Sequence, residues 1–180
     1  GVINRNIVVR GSGLAVAPSA PGGATLRMSY VAVDASDNSE GYPIYVHHAG
    51  QVAASFVRGC SIIGDSGGIY ATRSDMLRLQ GNVIVTNGHG LLIENCDDTA
   101  VHDNLAMALK PHDVTAPSRA MFVVTTSSTG SQINGNAAAG SAGPGFMFVQ
   151  PNMAEETPSS AGQIEFTNNT AHSNTNGLRF

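Results

Sequence analysis

The chain has 180 residues, a formal net charge of −4, 42% hydrophobic residues and only 12% charged residues. This balance excludes an intrinsically disordered chain, which would carry more charge and less apolar bulk. It also argues against a nucleic-acid partner, because the eight arginines are scattered, and the apolar runs are too short for a membrane-spanning helix.

A short motif recurs along the chain: an apolar residue, a polar residue, then Gly, Asp or Asn, then Asn, any residue and a second apolar residue. The copies begin, in chain order, at Ile3, Val57, Leu79, Val101, Ile133 and Phe166, with a weaker copy at Met28. A repeat of this kind indicates a solenoid, in which each repeat is one coil that stacks on its neighbours.

The spacing of the copies sets the length of one coil. Cys60, Asn82 and Asn104 follow one another at intervals of 22 residues, whereas 32 residues separate Asn104 from Asn136, and 33 separate Asn136 from Asn169. The two longer intervals are interpreted as 22-residue coils with surface-loop insertions. The insertions are placed near residues 110–117 and 151–161, where Pro and small polar residues cluster.

A glycine marks a second position in most coils. Gly68, Gly90, Gly145 and Gly177 each follow the Asn position by eight or nine residues. Helical periodicity is absent, so each coil consists of two or three short strands. The predicted fold is all-β, a right-handed parallel β-helix that occupies residues 1–180 as a single segment. Because the chain begins and ends within a repeat, we expect it to be part of a longer polypeptide.

Equivalent residues of stacked coils form columns, and the character of a column predicts the face on which it lies. Two apolar columns are expected to point inward: Val57, Leu79, Val101, Ile133 and Phe166, and Ile62, Ile84, Ala106, Ala138 and Ala171. A polar column between them is expected to face solvent: Arg58, Gln80, His102, Asn134 and Thr167.

The asparagine column is predicted to be structural. Its members are Asn82, Asn104, Asn136 and Asn169. They are expected at one tight bend of each coil, because Asn tolerates a left-handed backbone and its amide bonds to the Asn of the next coil. Cys60 fills this position in one coil and Cys96 is expected at a different corner, so no disulfide is predicted between them.

With the coils aligned, the sequence resembles the β-helix region shared by fibrocystin and the transmembrane and secreted hyaluronan-depolymerising proteins. In that family this region follows a domain named for its eight glycines. The matching segments cover nearly the whole chain in the family's order: Ile3–Gly11, Tyr42–His47, Arg58–Ile62, Gly88–Gly90, Asp103–Ala106, Ala138–Ser141 and Asn168–Ser173. The resemblance implies an extracellular or cell-surface protein, and its fibrocystin branch implies a ciliary or apical surface.

Two motifs of the hyaluronan-depolymerising members differ in this chain. Those members carry His-Phe-His where this chain has Tyr-Val-His at residues 45–47, and Glu-Asp-Gly where it has Glu-Asn-Cys at residues 94–96. Both differences resemble the fibrocystin branch. The preferred interpretation is therefore a non-enzymatic structural and recognition segment of a large fibrocystin-like surface protein.

The alternative is a glycan depolymerase that acts on hyaluronan or a similar acidic polysaccharide. Its catalytic candidates are His47, His89, Asp75 and Asp97. One lysine and eight dispersed arginines supply little basic surface for an acidic polymer, which argues against this alternative. A third alternative is an adhesin of the phage or bacterial β-helix type, and a glycine-rich domain upstream of the segment would distinguish the family from it.

The histidine candidates also have structural interpretations. His47 and His48 are adjacent, so on a regular strand their side chains are expected to point to opposite faces and not to share a metal ion. His89 lies between two glycines and is expected to hydrogen-bond to the neighbouring coil. A structural role is the simpler interpretation of all three.

The acidic candidates are expected to stack. Asp75 and Asp97 are 22 residues apart, which places them on adjacent coils with Glu94 nearby. Polysaccharide-cleaving β-helices use such residues for Ca²⁺ binding or acid–base chemistry. A solvated turn, neutralised by arginines such as Arg73, is the simpler interpretation. No metal site and no cofactor is predicted, and Ca²⁺ is considered only under the depolymerase alternative.

One sequence motif concerns modification. Asn168, Asn169 and Thr170 form a sequon, which makes Asn168 a glycosylation site if the protein is secreted. The expected partners are other domains of the same long chain and glycans or surface proteins. Neither nucleic acid nor a membrane is an expected contact of this segment.

Overall fold

The computed structural model describes residues 7–11, 14–16, 25–36, 41–51, 53–108, 119–125, 128–149 and 163–180. These residues form twenty short β-strands. The described part of the chain contains no helix with the length and apolar character needed to cross a membrane. The strands assemble into two seven-stranded sheets and one six-stranded sheet.

Each sheet takes its strands from successive coils, in chain order. Sheet A contains β1 (Ile7–Arg10), β4 (Val31–Ala35), β7 (Ser61–Gly64), β10 (Val83–Thr86), β13 (Leu105–Ala108), β16 (Ala137–Ala139) and β19 (Thr170–His172). Sheet B contains β2 (Leu14–Val16), β5 (Ile44–Gln51), β8 (Gly67–Asp75), β11 (His89–Glu94), β14 (Phe122–Thr125), β17 (Pro144–Val149) and β20 (Asn176–Arg179). Sheet C contains β3 (Arg27–Ser29), β6 (Phe56–Arg58), β9 (Arg78–Gln80), β12 (Ala100–His102), β15 (Gln132–Asn134) and β18 (Glu165–Thr167).

The chain visits the sheets in the order A, B, C and then returns to sheet A one coil further on. Parallel strands cannot be joined by a tight turn, and here the other two strands of each coil make the connection. Val57 pairs with Leu79 and Leu79 with Val101, which reproduces the 22-residue interval. Val101 then pairs with Ile133 across the longer interval. The predicted parallel β-helix is confirmed, and the predicted insertions near 110–117 and 151–161 lie outside the described residues.

The two apolar columns form the core, as predicted. Leu79 and Val101 in sheet C and Ile84 in sheet A are completely buried. Sheet B adds a third inward column in which the rings of Phe122 and Phe146 stack with centroids 4.8 Å apart. The polar column of sheet C lies on the outer face, with residues that are exposed or partly exposed. A core that runs along the axis of the coils leaves three flat outer faces for binding.

The predicted register of the first repeat, the copy that begins at Ile3, is wrong by one residue. That alignment placed Val8 in the column of Ile62, whereas Val8 pairs with Ala32 and Ala32 pairs with Ser61. Side chains alternate along a strand, so a slip of one residue exchanges the inside for the outside. Val8 is accordingly 48% exposed. The three consecutive apolar residues at positions 7–9 fit either phase of the pattern, which is why the pattern alone placed them incorrectly.

The asparagine column lies at the bend between sheets C and A, where Asn82, Asn104 and Asn136 are buried. Asn82 Nδ2 donates to Asn104 Oδ1 at 2.9 Å, and Asn104 Nδ2 donates to Asn136 Oδ1 at 3.0 Å. Asn169 Oδ1 accepts from Asn136 at the far end, and the backbone N–H of Cys60 donates to Asn82 Oδ1 at the near end. Each buried amide is thus paired with the coils above and below it.

The cysteines occupy different corners and both are free. Cys96 lies between sheets B and C, where its Sγ accepts from the N–H of Ser74 and its own N–H donates to Ser128 Oγ at 3.1 Å. Burial raises the pKa of the Cys96 thiol to about 12. The thiolate is therefore suppressed at neutral pH, and Cys96 serves as a hydrogen-bonding core residue.

Candidate functional site

Aromatic side chains gather on the outer face of sheet B, where β5 and β8 run side by side. Tyr45 and Tyr70 each follow a buried isoleucine in strands whose side chains alternate between core and surface. The register places these two tyrosines directly beside each other. We use the name tyrosine face for a set of seven residues: Tyr42, Tyr45, His47, His48, Tyr70, Arg73 and Glu94.

The rings of the tyrosine face form one continuous surface across two coils. Tyr45 and Tyr70 are stacked, with centroids 4.9 Å apart and planes inclined by 18°. Tyr42 packs on Tyr70 at 5.1 Å, and His47 packs on Tyr45 at 5.2 Å. Offset and tilted contacts at these distances are the favoured geometries of aromatic pairs. All four rings are half-buried, so one side of each is supported by the protein.

A carboxylate borders this aromatic surface. Glu94 lies on β11, beside Thr72 of β8, and its Oε2 accepts a short hydrogen bond from the hydroxyl of Tyr70. Burial raises the pKa of Tyr70 well above its usual value, and the hydrogen bond to Glu94 raises it further. Tyr70 therefore stays protonated at neutral pH and holds the Glu94 carboxylate in a single orientation.

The prediction that His47 and His48 point to opposite faces is wrong. His48 has a left-handed backbone with φ of 50°, and the register of β5 against β8 shifts between His47 and Gly50. An irregularity of this kind turns a side chain away from the alternation of a regular strand. The two imidazole rings consequently meet edge to face, with centroids 3.8 Å apart.

The two histidines form a hydrogen-bonded chain with Arg73. Arg73 contacts His48 Nε2 at 2.8 Å, and His48 Nδ1 lies 3.0 Å from His47 Nδ1. An arginine can only donate, so His48 Nε2 accepts, and the hydrogen on His48 Nδ1 is donated to His47. The Nε2–H of neutral His47 is then left as the donor. Partial loss of surrounding water, followed by the charges of His47 and Arg73, lowers the pKa of His48, which favours this neutral arrangement.

The expectation that His89 hydrogen-bonds to the neighbouring coil is confirmed. Its Nδ1 lies 3.2 Å from the N–H of Ala120 and 3.1 Å from the carbonyl oxygen of the same residue. Burial lowers the pKa of His89, and the nearby positive charge of Arg119 lowers it further, although the Ala120 contact opposes this. His89 lies at the start of β11, where it links two coils.

This environment predicts that acid destabilises the fold through His89. A histidine whose pKa is depressed in the folded state contributes stability above its unfolded pKa, near 6.5, and loses it as the pH falls through the folded value. The free energy of unfolding, measured by urea denaturation, is expected to be flat near neutral pH and to decline below about pH 6.5. His89→Gln is expected to reduce that decline more than His48→Gln at an exposed site. Equal pH profiles for the His89 variant and the parent chain would contradict this assignment.

Asp75 and Asp97 stack on adjacent coils at the corner between sheets B and C. The N–H of Asp97 donates to Asp75 Oδ1 at 3.0 Å. Asp97 Oδ1 in turn accepts from both the N–H and the hydroxyl of Thr129, each at 2.8 Å. Glu94 and Arg73, which the sequence associated with these aspartates, belong instead to the tyrosine face. Among the described residues no group of three or more His, Cys, Asp or Glu is arranged to hold a metal ion.

Asn168 is exposed at a left-handed turn with φ of 54°. Its Nδ2 donates to Asn134 Oδ1 at 3.2 Å. Glycosylation of Asn168 stays a prediction, which the mass of the secreted protein before and after enzymatic deglycosylation can check.

Sequence reasoning treated Tyr45 only as a substitute for a histidine and did not select Tyr42, Tyr70 or Arg73. A usable signal was present, because Ile-Tyr occurs at residues 44–45 and again at residues 69–70. The two pairs are 25 residues apart, and the interval of 22 residues therefore did not align them. Their contact follows from the register of β5 and β8.

A solenoid of stacked parallel coils with an apolar axis and an internal asparagine row is the structure of a β-helix protein. The chain belongs to the family described as the right handed beta helix region, whose model matches residues 2–150 and, in a second alignment, residues 44–180. The two matches together span nearly the whole chain and agree with the three stacked sheets. No curated protein and no solved structure matches the chain significantly.

Proposed function

We propose that this chain is a non-catalytic recognition segment of an extracellular, fibrocystin-like surface protein, and that it binds a glycan on the tyrosine face. The single observation that carries the proposal is the stacked pair of Tyr45 and Tyr70 on adjacent coils, 4.9 Å apart. A sugar ring presents a patch of C–H groups on each face, and a supported aromatic ring is a complementary surface for it. The rigid β-helix holds the two rings in place before a ligand arrives, which lowers the entropic cost of binding.

Polar groups around the rings match the hydroxyls of a sugar. Glu94 supplies carboxylate oxygens that can accept hydrogen bonds, and the free Nε2–H of His47 can donate one. Arg73 holds His48 and thereby sets the tautomer of His47. An apolar surface with a few oriented polar groups is the usual composition of a small-ligand site.

Binding without cleavage is favoured by the state of the same groups. The usual hydrolysis of a glycosidic bond needs two carboxyl groups placed on either side of the bond. The Glu94 carboxylate is engaged by the Tyr70 hydroxyl, and burial raises the pKa of Tyr70, so this phenol is not a base near neutral pH. Asp75 and Asp97 accept backbone hydrogen bonds at the corner instead.

The test combines binding with chain length. The protein is titrated with hyaluronan of defined length and with a neutral oligosaccharide, with and without Ca²⁺, while affinity is measured by calorimetry and product size by chromatography. Tyr45→Ala is expected to weaken binding about tenfold through loss of ring contact. Tyr30→Ala is the matched control, because Tyr30 is 69% exposed away from the tyrosine face.

Three outcomes are informative. Binding that depends on Tyr45, with no shortening of the polymer, supports a recognition segment. Shortening that disappears in His47→Ala would overturn the non-catalytic proposal in favour of a depolymerase. Equal affinity of the Tyr45 and Tyr30 variants would remove the tyrosine face as the site and leave a structural segment that links other domains of a longer chain.

A further inference from the structure

A second concave surface lies on the outer face of sheet C, away from the tyrosine face. It is a shallow groove of about 530 Å³ that crosses β9, β12 and β15. Polar side chains project along it in the register of the sheet, where His102 pairs with Gln80 and Ala100 pairs with both Arg78 and Gln132. The groove therefore extends along the axis over three coils, at about 4.8 Å per coil.

The polar groups that line this groove lack protein partners. In the part of the chain that the structure describes, His102 Nε2 is buried without a hydrogen bond. Arg78, Gln80 and Gln132 are exposed, and their side chains have no hydrogen bond or ion pair with another described residue. A buried ring nitrogen without a partner is unusual in a folded protein and calls for an explanation.

Neighbouring positions on the same sheet differ in this respect. Arg58 lies over the rings of Tyr30 and Phe56, at 5.9 and 5.8 Å. Asn134, next to His102 in the polar column, accepts a hydrogen bond from Asn168. The unpartnered groups are thus concentrated in the groove.

The chemistry of the groups defines the ligand class. Arg78 offers a forked set of donors that fits a carboxylate, and His102 Nε2 can donate from the next strand. The amides of Gln80 and Gln132 donate and accept, as the hydroxyls of a sugar require. Asp98, at the corner of the groove, can only accept when ionised and therefore favours hydroxyl groups over a second anion.

We propose that this groove binds a short saccharide that carries a carboxylate, with the carboxylate between Arg78 and His102 and the sugar hydroxyls on Gln80 and Gln132. The spacing of the coils is similar to the rise of an extended sugar chain, so consecutive sugar residues meet equivalent side chains of consecutive coils. The site is separate from the tyrosine face and does not depend on the function proposed for it.

The experiment uses tri-galacturonate and the same trisaccharide after reduction of its carboxyl groups. Binding to the whole chain is measured by calorimetry, and the ring signals of His102 are followed by NMR. Arg78→Gln is expected to weaken binding of tri-galacturonate about tenfold, because a charge-assisted pair is lost. It is expected to leave binding of the reduced trisaccharide unchanged. Arg58→Gln, on the same sheet outside the groove, is the matched control and is expected to change neither.

The remaining outcomes also decide the proposal. A shift of the His102 signals on addition of tri-galacturonate supports it. Equal affinity for the two trisaccharides, equal loss in the two arginine variants, or no binding at millimolar concentration would each overturn it. Loss of binding in Tyr45→Ala with full binding in Arg78→Gln would assign the acidic sugar to the tyrosine face and exclude the groove. Thermal unfolding confirms that each variant is folded, and Arg78 is an exposed residue whose replacement is not expected to disturb the core.

Discussion

Replacement of Gly68 by alanine is expected to destabilise the protein by at least about 3 kcal/mol. A Cβ atom at Gly68 would lie 2.2 Å from the carbonyl oxygen of Gly90 and 2.3 Å from a methyl group of Ile84. The first of these atoms is backbone of the next coil, so relief of the contact requires that one coil move away from another. Gly90 is under a similar constraint, since its Cβ would lie 2.7 Å from the carbonyl oxygen of Met121. The glycine column is therefore a packing requirement of the stacked coils.

Gly81→Ala is the matched control for this prediction. Gly81 has φ of 62°, and no atom lies within 4 Å of the position that a Cβ would take there. Its replacement therefore costs only the left-handed conformation, roughly 1–2 kcal/mol. Urea denaturation of the parent chain and both variants gives the comparison. A Gly68 variant that is no less stable than the Gly81 variant would show that the coils separate more easily than the packing implies.

Asn104→Leu is expected to lower the free energy of unfolding by roughly 3 kcal/mol. The Asn104 side chain is buried at the centre of the asparagine row. Its Oδ1 accepts from the N–H and from Nδ2 of Asn82, and its Nδ2 donates to the carbonyl of Leu79 and to Asn136 Oδ1. Leucine has a similar volume but leaves these groups of three neighbouring coils without partners in a place that water does not reach.

Asn134→Leu is the control, because Asn134 is only partly buried and its side chain lies on the outer polar column. Its replacement is expected to change stability by less than about 1 kcal/mol. Thermal and urea unfolding of both variants measure the difference. Equal stability of the two would mean that the buried row contributes no more than a surface amide does.

Much of the fold was predictable because a solenoid converts sequence distance directly into contact. Each coil touches only the coils before and after it, so an interval of 22 residues is at once a repeat length and a strand register. Leu79 is buried between Val57 and Val101 for that reason alone. The position of the asparagines followed in the same way, since one residue type at one offset must meet itself along the axis.

The same reasoning failed where the coil length changes. The first repeat was misplaced by one residue because three apolar residues in succession, at positions 7–9, carry no alternation to define their faces. The pairing of Tyr45 with Tyr70 joins residues 25 positions apart and escaped a search at intervals of 22. Both errors arise from local irregularity, which a periodic pattern cannot represent.

The repeat spacing, the inward columns and the asparagine row are properties of the order of residues, because they depend on nearest-neighbour stacking with a constant period. The candidate sites depend on the folded chain. The left-handed backbone at His48 turns its ring onto His47, and neither residue type announces that turn. Likewise, the groove on sheet C exists because side chains from three coils leave a hollow between them. The curvature of a surface is set by side-chain packing across coils, and it has no counterpart in the period of the sequence.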